Sequence, residues 1–148
     1  MRAIEPWVEQ PLSTFLNESD ARIAAVLTRS GQVVAQHGFA TSPDLMAAAA
    51  LSAGIVAASG ELSRVIGAPP LRELAYEGRE LGIYLAAIDL PGRRWLGLIG
   101  YGKETSLGLV QLFFDQMVEE LVGAAPREPA APPISAENLE RELDASLK

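Results

Sequence analysis

The sequence has no cysteine and a single histidine, His37, and only 6% of its 148 residues are aromatic. Without cysteine the chain forms neither a disulfide nor a thiolate metal site, which fits a reducing compartment. One histidine excludes a metal site with two histidine ligands, and a lone histidine beside a strand end is most often a surface residue. The sequence therefore indicates no metal ion, no cofactor and no catalytic residue.

Positive charge is also scarce, with 12 lysines and arginines against 19 aspartates and glutamates and a net charge of −7. Nucleic acids and anionic membranes attract basic surfaces, so neither is an expected partner. The N-terminus, MRAIEPWVEQP, has no signal-peptide run, and the longest uncharged stretch, residues 45–60, is shorter than the roughly 20 residues of a membrane span. We expect a soluble cytoplasmic protein whose partner is another protein or a small molecule.

One stretch resembles a nucleotide-binding motif. Residues 97–104, GLIGYGKE, fit the first seven positions of the phosphate-binding pattern G-x-x-x-x-G-K-[ST], but Glu104 stands where a hydroxyl group must hold magnesium. The stretch also has the pattern of a strand in a hairpin, whereas the motif needs a strand-to-helix loop. We interpret it as a strand that leads to a helix, and nothing else in the sequence indicates an enzyme.

The apolar residues, 49% of the chain, are arranged in recognisable elements. Residues 21–38 predict a hairpin with its turn at Ser30-Gly31, since glycine supplies the positive φ of such turns. A helix of about 24 residues follows. Ser42 can cap it, Pro43 and Asp44 suit its first turn, and Gly67 with the prolines at 69–70 ends it.

Three strands are expected at 71–77, 81–90 and 94–102, separated by Gly-Arg-Glu and Pro-Gly-Arg breaks. A second long helix begins near Thr105 or Ser106, either of which can cap it, and Gly123 and Pro126 stop it. Its apolar face has helical spacing and consists of Leu107, Val110, Phe113 or Phe114, Met117 and Leu121.

The two ends of the chain differ in character. At the N-terminus the apolar residues allow a helix that starts near Pro11 or a kinked helix from Pro6. Residues 124–134 form a proline-rich linker, and residues 135–148 form an acidic amphipathic tail that is disordered alone and carries Leu139, Leu143 and Leu147 at helical spacing. Residues 1–123 thus form one α+β domain with the element order αββαβββα and an antiparallel sheet.

The central helix contains few large side chains, although glycine in a helix interior costs about 1 kcal/mol relative to alanine. Ala50, Ala53, Ala57 and Glu61 recur along one flank, and larger apolar residues, Leu51, Ile55, Leu62 and Ile66, lie on another. Small residues permit a close approach of another backbone. The flat flank can pack on the chain's own sheet or face a partner, and we favour a partner for part of it.

These elements resemble the roadblock (dynein light chain) family, and within it the MglB-like bacterial GTPase-activating proteins. The resemblance lies in DARIAAVLTRSGQVVAQHG, LSAGIVAASGELSRVIG, YEGRELGIYLAAI and ETSLGLVQLFFDQMVEEL. It implies a five-stranded antiparallel sheet of order 2-1-5-4-3 with helices on both faces. It also implies a homodimer through the third strands, at Leu71, Glu73, Ala75 and Glu77.

The resemblance further implies binding of a Ras-like (MglA-type) small GTPase and stimulation of its GTP hydrolysis. The carried-over contact region is Ala53, Ala57, Glu61 and Arg64 on the central helix, and Leu139, Leu143 and Leu147 in the tail. This chain departs from the resemblance at Glu61, since the gliding-motility protein of the MglB-like group has a small residue at that position. Two alternatives remain, namely a scaffold of the same fold that does not activate hydrolysis, and a small-molecule sensor, which requires a sizeable closed apolar pocket.

Overall fold

A computed structural model of the chain describes residues 5–70 and 72–126. A short 3₁₀ helix, Pro6–Val8, precedes the first α-helix. The elements then follow in the expected order, as α1 (Glu9–Ser19), β1 (Ile23–Thr28), β2 (Val33–His37), α2 (Ser42–Ile66), β3 (Glu73–Glu77), β4 (Gly82–Leu90), β5 (Arg93–Tyr101) and α3 (Leu107–Ala124). Of the linker predicted at 124–134, residue 124 ends α3 and residues 127–134 lie outside the described residues, as do the tail at 135–148 and Leu71.

The five strands form one antiparallel sheet in the order β2-β1-β5-β4-β3. Strand β5 is central, and β2 and β3 are the two edges. The β1–β2 pairing shifts register between Val26 and Leu27, which marks a bulge at the β2 edge. The predicted fold class and strand order are therefore confirmed.

Helices cover the two faces of this sheet unequally. On one face α1 and α3 enclose the larger core. There the ring of Phe114 packs edge-on against the rings of Phe15 and Tyr84, with 6.3 Å and 5.3 Å between ring centroids. On the other face α2 covers a smaller cluster of Ala25, Leu27, Ala49, Leu85, Leu96 and Leu98. The second face is the thinner half of the molecule.

The capping residue of α2 differs from the expectation. Thr41, in extended conformation, is the N-cap, and its side-chain oxygen accepts a hydrogen bond from the Asp44 amide at 3.2 Å. Ser42 is the first helical residue, so its prediction as the cap is wrong. At the other end Gly67 stops the helix with a φ of +73°, as predicted.

For α3, the structure decides between the alternatives. Ser106 is the cap and accepts from the Leu109 amide at 3.3 Å, and Phe114 is buried whereas Phe113 is half-buried. The helix continues through Gly123 to Ala124. Gly123 therefore does not stop α3, contrary to the prediction.

The N-terminal helical segment begins at Pro6, as one of the two predictions has it, and its α-helical part begins two residues before Pro11. The 3₁₀ turn at Pro6–Val8 leads into α1 at Glu9, so Pro11 is the third helical residue. The first four amide groups of a helix have no acceptor inside it. Pro11 therefore removes no hydrogen bond and sits buried against the core without breaking α1.

Candidate functional site

Helix α2 buries only a narrow strip of its surface. Ala49, Ser52 and Ser63 are its buried residues, and only 11% of the residues in its most apolar segment are buried. Unlike its uncharged stretch taken alone, the whole helix is long and apolar enough to cross a membrane by length and composition. In the structure it packs on the sheet along one side and leaves the remainder uncovered.

One exposed side of α2, the apolar flank, consists of Leu51, Ile55, Leu62 and Ile66, which are 43–68% exposed. It adjoins exposed apolar residues of the sheet, Leu74 and Ile83. Between helix and sheet lies an apolar groove of about 280 Å³, and its lining includes Leu51 and Ile55 of the helix and Leu74 and Ile83 of the sheet. The groove is open to solvent, so it is not the closed pocket that a small-molecule sensor requires.

A second side of α2, the small-residue flank, holds Ala53, Ala57, Glu61 and Arg64 at helical spacing. Ala53 is half-buried and the other three are exposed. The structure brings these four predicted residues to one side of one helix, as their spacing requires. Their role in binding stays a prediction.

The β1–β2 turn explains some of the small residues. At Gly31, whose φ is +90°, an added Cβ would lie 3.2 Å from the Ala49 carbonyl oxygen and 3.4 Å from the Ala53 Cβ. The turn thus lies directly against the helix. By contrast, no atom lies within 4 Å of a Cβ built at Gly54 or Gly60. Packing in the described part of the chain does not require these two glycines.

Charge on this side of α2 is confined to one pair. Glu61 and Arg64 are the only ionisable residues between Asp44 and Arg72. The Arg64 guanidinium donates to the Glu61 carboxylate, with 3.0 Å between Nε and Oε1, and both side chains are more than 60% exposed. An exposed pair of this kind contributes little to folding, about 0.3–0.5 kcal/mol. The flank therefore presents a mostly uncharged surface that ends in a mutually neutralised pair.

The free edge of β3 shows unpaired backbone groups. The Ala87 amide donates to the Arg72 carbonyl, and the Gly78 amide donates to the Leu81 carbonyl, each at 2.9 Å. Since bonding alternates along an antiparallel strand, the even-numbered residues of β3 bond to β4. The amides and carbonyls of Glu73, Ala75 and Glu77 therefore point outward, away from the sheet.

The side chains of β3 alternate between the two faces of the sheet. Glu73 accepts hydrogen bonds from Tyr84 at 2.6 Å and Gln111 at 3.3 Å, and Glu77 accepts one from Tyr101 at 3.2 Å. These glutamates thus lie on the α3 face, whereas Leu74 contacts the groove beside α2. Burial, followed by the neighbouring Glu73 carboxylate, raises the pKa of Tyr84.

No catalytic arrangement emerges from the described ranges 5–70 and 72–126, which contain no group of three or more metal-ligating side chains. The GLIGYGKE stretch is strand β5 and the turn after it. Glu104 receives two hydrogen bonds from Arg22, at 2.7 and 3.0 Å, which lower the pKa of its carboxyl group. This carboxylate holds β1 to the turn before α3. The interpretation of the stretch as a strand is confirmed.

Residues 8–89 match the Roadblock/LC7 domain family. The MglB structure from Myxococcus xanthus is 25% identical, with a TM-score of 0.69 over 78% of this chain and 92% of that one. The gliding protein MglB from Thermus thermophilus is also 25% identical, with a TM-score of 0.71 over 83% and 91%. An MglB with a tetrameric arrangement is 26% identical, with a TM-score of 0.69 over 80% and 87%. No curated protein matches the chain.

Proposed function

Because the chain belongs to the Roadblock/LC7 family, we propose that it is a non-enzymatic, homodimeric regulator of a Ras-like (MglA-type) small GTPase. It binds the GTPase and stimulates GTP hydrolysis, in the control of bacterial cell polarity or motility. The observation that carries the proposal is the exposure of α2, in which Gly54 and Gly60 have open space where a side chain would stand. The likeness to two MglB proteins, one of them described as a gliding protein, supports the same assignment.

The homodimer forms by pairing of β3 with β3 of a second copy. The outward backbone groups of Glu73, Ala75 and Glu77 provide the hydrogen bonds, and Leu71 belongs to the same contact. An unpaired strand edge with no proline or lysine is prone to such pairing. The apolar flank of α2 and the groove beside it continue from this edge, so the second copy's helix covers apolar surface that a single chain exposes.

The GTPase docks on the small-residue flank, at Ala53, Ala57, Glu61 and Arg64. A surface without long side chains allows a close approach at a low cost in side-chain entropy. Activation then arises from preferential binding to one conformation of the GTPase, which aligns the partner's own catalytic groups. Accordingly, no single arginine-to-alanine change in this chain removes all activation.

The C-terminal tail gives a second contact. Residues 135–148, joined through the linker at 124–134, hold another side of the GTPase with Leu139, Leu143 and Leu147. The three leucines recur at intervals of four in the sequence, which gives one apolar stripe if the segment is helical. The folded domain, residues 1–123, carries the remaining contacts.

The alternative is a scaffold of the same fold that binds a GTPase or another roadblock chain without activating hydrolysis. The arginine on the small-residue flank, Arg64, is engaged by Glu61, which argues against an arginine finger at this position but does not distinguish the scaffold from the proposed activator. An arginine finger worth about 10³- to 10⁵-fold in rate would need a free guanidinium.

The test measures phosphate release by a purified MglA-type GTPase with and without this chain, together with binding. We expect stimulation by the natural chain and neither binding nor stimulation by Ala57→Arg, because a long charged side chain blocks the close approach. The matched control is Gln116→Arg, which adds the same charge on exposed α3 at the opposite face of the sheet. Binding without stimulation would favour the scaffold, and unchanged binding by Ala57→Arg would contradict the docking surface.

A further inference from the structure

The β1–β2 turn is a rigid neighbour of α2. The Thr28 amide and the Gly31 amide make backbone hydrogen bonds across the turn at 2.8 and 3.0 Å, and the Thr28 hydroxyl accepts from the Gln32 amide at 3.0 Å. Its tip rests on the helix, where a Cβ at Gly31 would lie 3.5 Å from the Ala50 Cα. The turn and the small-residue flank thus form one continuous surface.

Arg29 lies in this turn, two residues before Gly31, and is exposed. Two residues span at most about 7 Å, so the margin of the flank is within the reach of an arginine side chain at this position. Within residues 5–70 and 72–126, carboxylates engage Arg22, Arg64, Arg72, Arg93 and Arg94, whereas Arg29 and Arg79 have no ionic partner. Arg29 is therefore a cation on a hydrogen-bonded support, and no carboxylate of residues 5–70 and 72–126 compensates it.

The charge of this surface is opposite in sign to that of the molecule. The turn and the flank together carry Arg29 and Arg64 against Glu61, two positive charges against one negative, on a chain whose net charge is −7. Because Glu61 and Arg64 neutralise each other, the free charge of the surface is that of Arg29. A partner of complementary charge would present an acidic group beside the turn.

We propose that the docking surface extends from α2 onto the β1–β2 turn, and that Arg29 binds an acidic group on the GTPase. This inference rests on the proposed function and adds a specificity-determining residue at the rim of the same site. A cation at the rim accelerates association and makes it dependent on salt, because the attraction acts before contact and is screened by ions. Arg29 thus selects GTPases that have a carboxylate at this place.

The experiment measures association rate and affinity for a purified MglA-type GTPase loaded with a non-hydrolysable GTP analogue, at low and at high ionic strength. Arg29→Gln should lower affinity at low salt by roughly threefold, and Arg29→Glu by roughly tenfold, mainly through the association rate. Both reductions should shrink at high salt. Size-exclusion chromatography of each variant shows whether the oligomeric state is kept.

Arg79 provides the matched control. It is exposed and without an ionic partner in the described chain, and it lies in the β3–β4 turn beyond the Gly82–Tyr101 end of the sheet. The β1–β2 turn lies beyond the opposite end, next to the Thr28–Trp95 pair. Each Arg79 variant changes the net charge by the same amount as the corresponding Arg29 variant. A general charge effect would therefore lower affinity in both pairs of variants, whereas a contact made by Arg29 would lower it only in the Arg29 variants.

Three outcomes separate the inference from the function. Loss of affinity with the Arg29 variants alone supports the inference. Natural binding by the Arg29 variants, with binding still abolished by Ala57→Arg, overturns the inference and leaves the proposed function in place. Absence of binding by the natural chain overturns the proposed function, and the inference with it.

Discussion

Two glycines within regular elements, Gly97 and Gly60, have opposite surroundings. A Cβ at Gly97 on β5 would collide with the Phe114 ring, whereas a Cβ at Gly60 on α2 meets no atom within 4 Å. Gly97→Ala should therefore destabilise the fold by about 1–3 kcal/mol through overpacking. Gly60→Ala should stabilise it by up to about 1 kcal/mol, because alanine favours the helix. Urea denaturation of both variants measures the difference.

The Gly60→Ala variant also tests the proposed reason for a glycine at this position. If a partner's close approach is the reason, Gly60→Ala combines a higher unfolding free energy with weaker GTPase binding. Equal or lower stability in Gly60→Ala would contradict the open surroundings that the structure assigns to this glycine.

The ionisation of the buried Tyr84 makes the stability of the fold depend on pH in the alkaline range. Its hydroxyl donates to Glu73, and burial together with that carboxylate raises the tyrosine pKa, since both disfavour the phenolate. The resulting stability is complete below the ordinary tyrosine pKa of about 10 and is lost as the pH rises toward the raised value, because only the unfolded chain ionises readily. At neutral pH, Tyr84→Phe should cost about 0.5–1.5 kcal/mol.

Above about pH 10 the cost of Tyr84→Phe should diminish, because phenylalanine has no proton to lose. Denaturation at neutral pH and at alkaline pH, with the natural chain in parallel, checks the crossover. Tyr76→Phe is the control, since Tyr76 is 66% exposed. A constant difference at all pH values would refute the link to Tyr84.

At the scale of elements, the edge strand β3 carries the sharpest prediction. Ala75→Pro removes an amide that points away from β4, so the β3–β4 ladder stays intact while the pairing of two β3 edges is blocked. We expect a folded chain that sediments as a monomer near 15.8 kDa at concentrations where the natural chain is a dimer. Sedimentation velocity and circular dichroism measure the two properties.

The control for this strand is Ala75→Val, because valine suits an extended strand and keeps the amide. It should leave the dimer unchanged. A dimer of Ala75→Pro would show that β3 is not the seam.

Elements were easier to predict than their ends. Turn glycines and apolar periodicity indicated all five strands and both long helices, and the family resemblance supplied the strand order. The capping residue of α2 was misplaced because Thr41 and Ser42 have the same hydroxyl chemistry, and only backbone conformation distinguishes them. Pro11 was ambiguous for a similar reason, since its effect depends on its position within the first turn, which the sequence does not mark.

The surface was predicted less completely than the fold. Helical spacing placed Ala53, Ala57, Glu61 and Arg64 on one flank, but it could not show that Gly31 lies against that flank. That contact joins residues far apart in sequence and depends on where α2 crosses the sheet. The proposed role of Arg29 was not predicted for the same reason, since an exposed arginine in a turn has no local signal that distinguishes it from a solubilising charge.

At the scale of the whole molecule, the proposed binding energy for the GTPase is shared between the folded domain and the C-terminal tail. Truncation after Pro133 should weaken binding of an MglA-type GTPase or alter its nucleotide exchange, and should leave the dimer intact because β3 and α2 lie in the folded domain. Titration calorimetry and exchange of a fluorescent nucleotide measure the two effects.

A second variant changes the three leucines of the tail to serine and keeps the length and charge of the segment, so it tests the leucines alone. Both tail variants should behave alike. No effect of either on binding or exchange would remove the tail from the mechanism.

The uncovered side of α2 should affect how fast the protein is degraded in the cell. An apolar helix of which so little is buried is a ready target for chaperones and proteases while it stays bare. Whatever covers it stabilises the chain by mass action. The cellular abundance of this protein should therefore track the supply of its covering partner, so that surplus copies are removed by turnover without any dedicated control of synthesis.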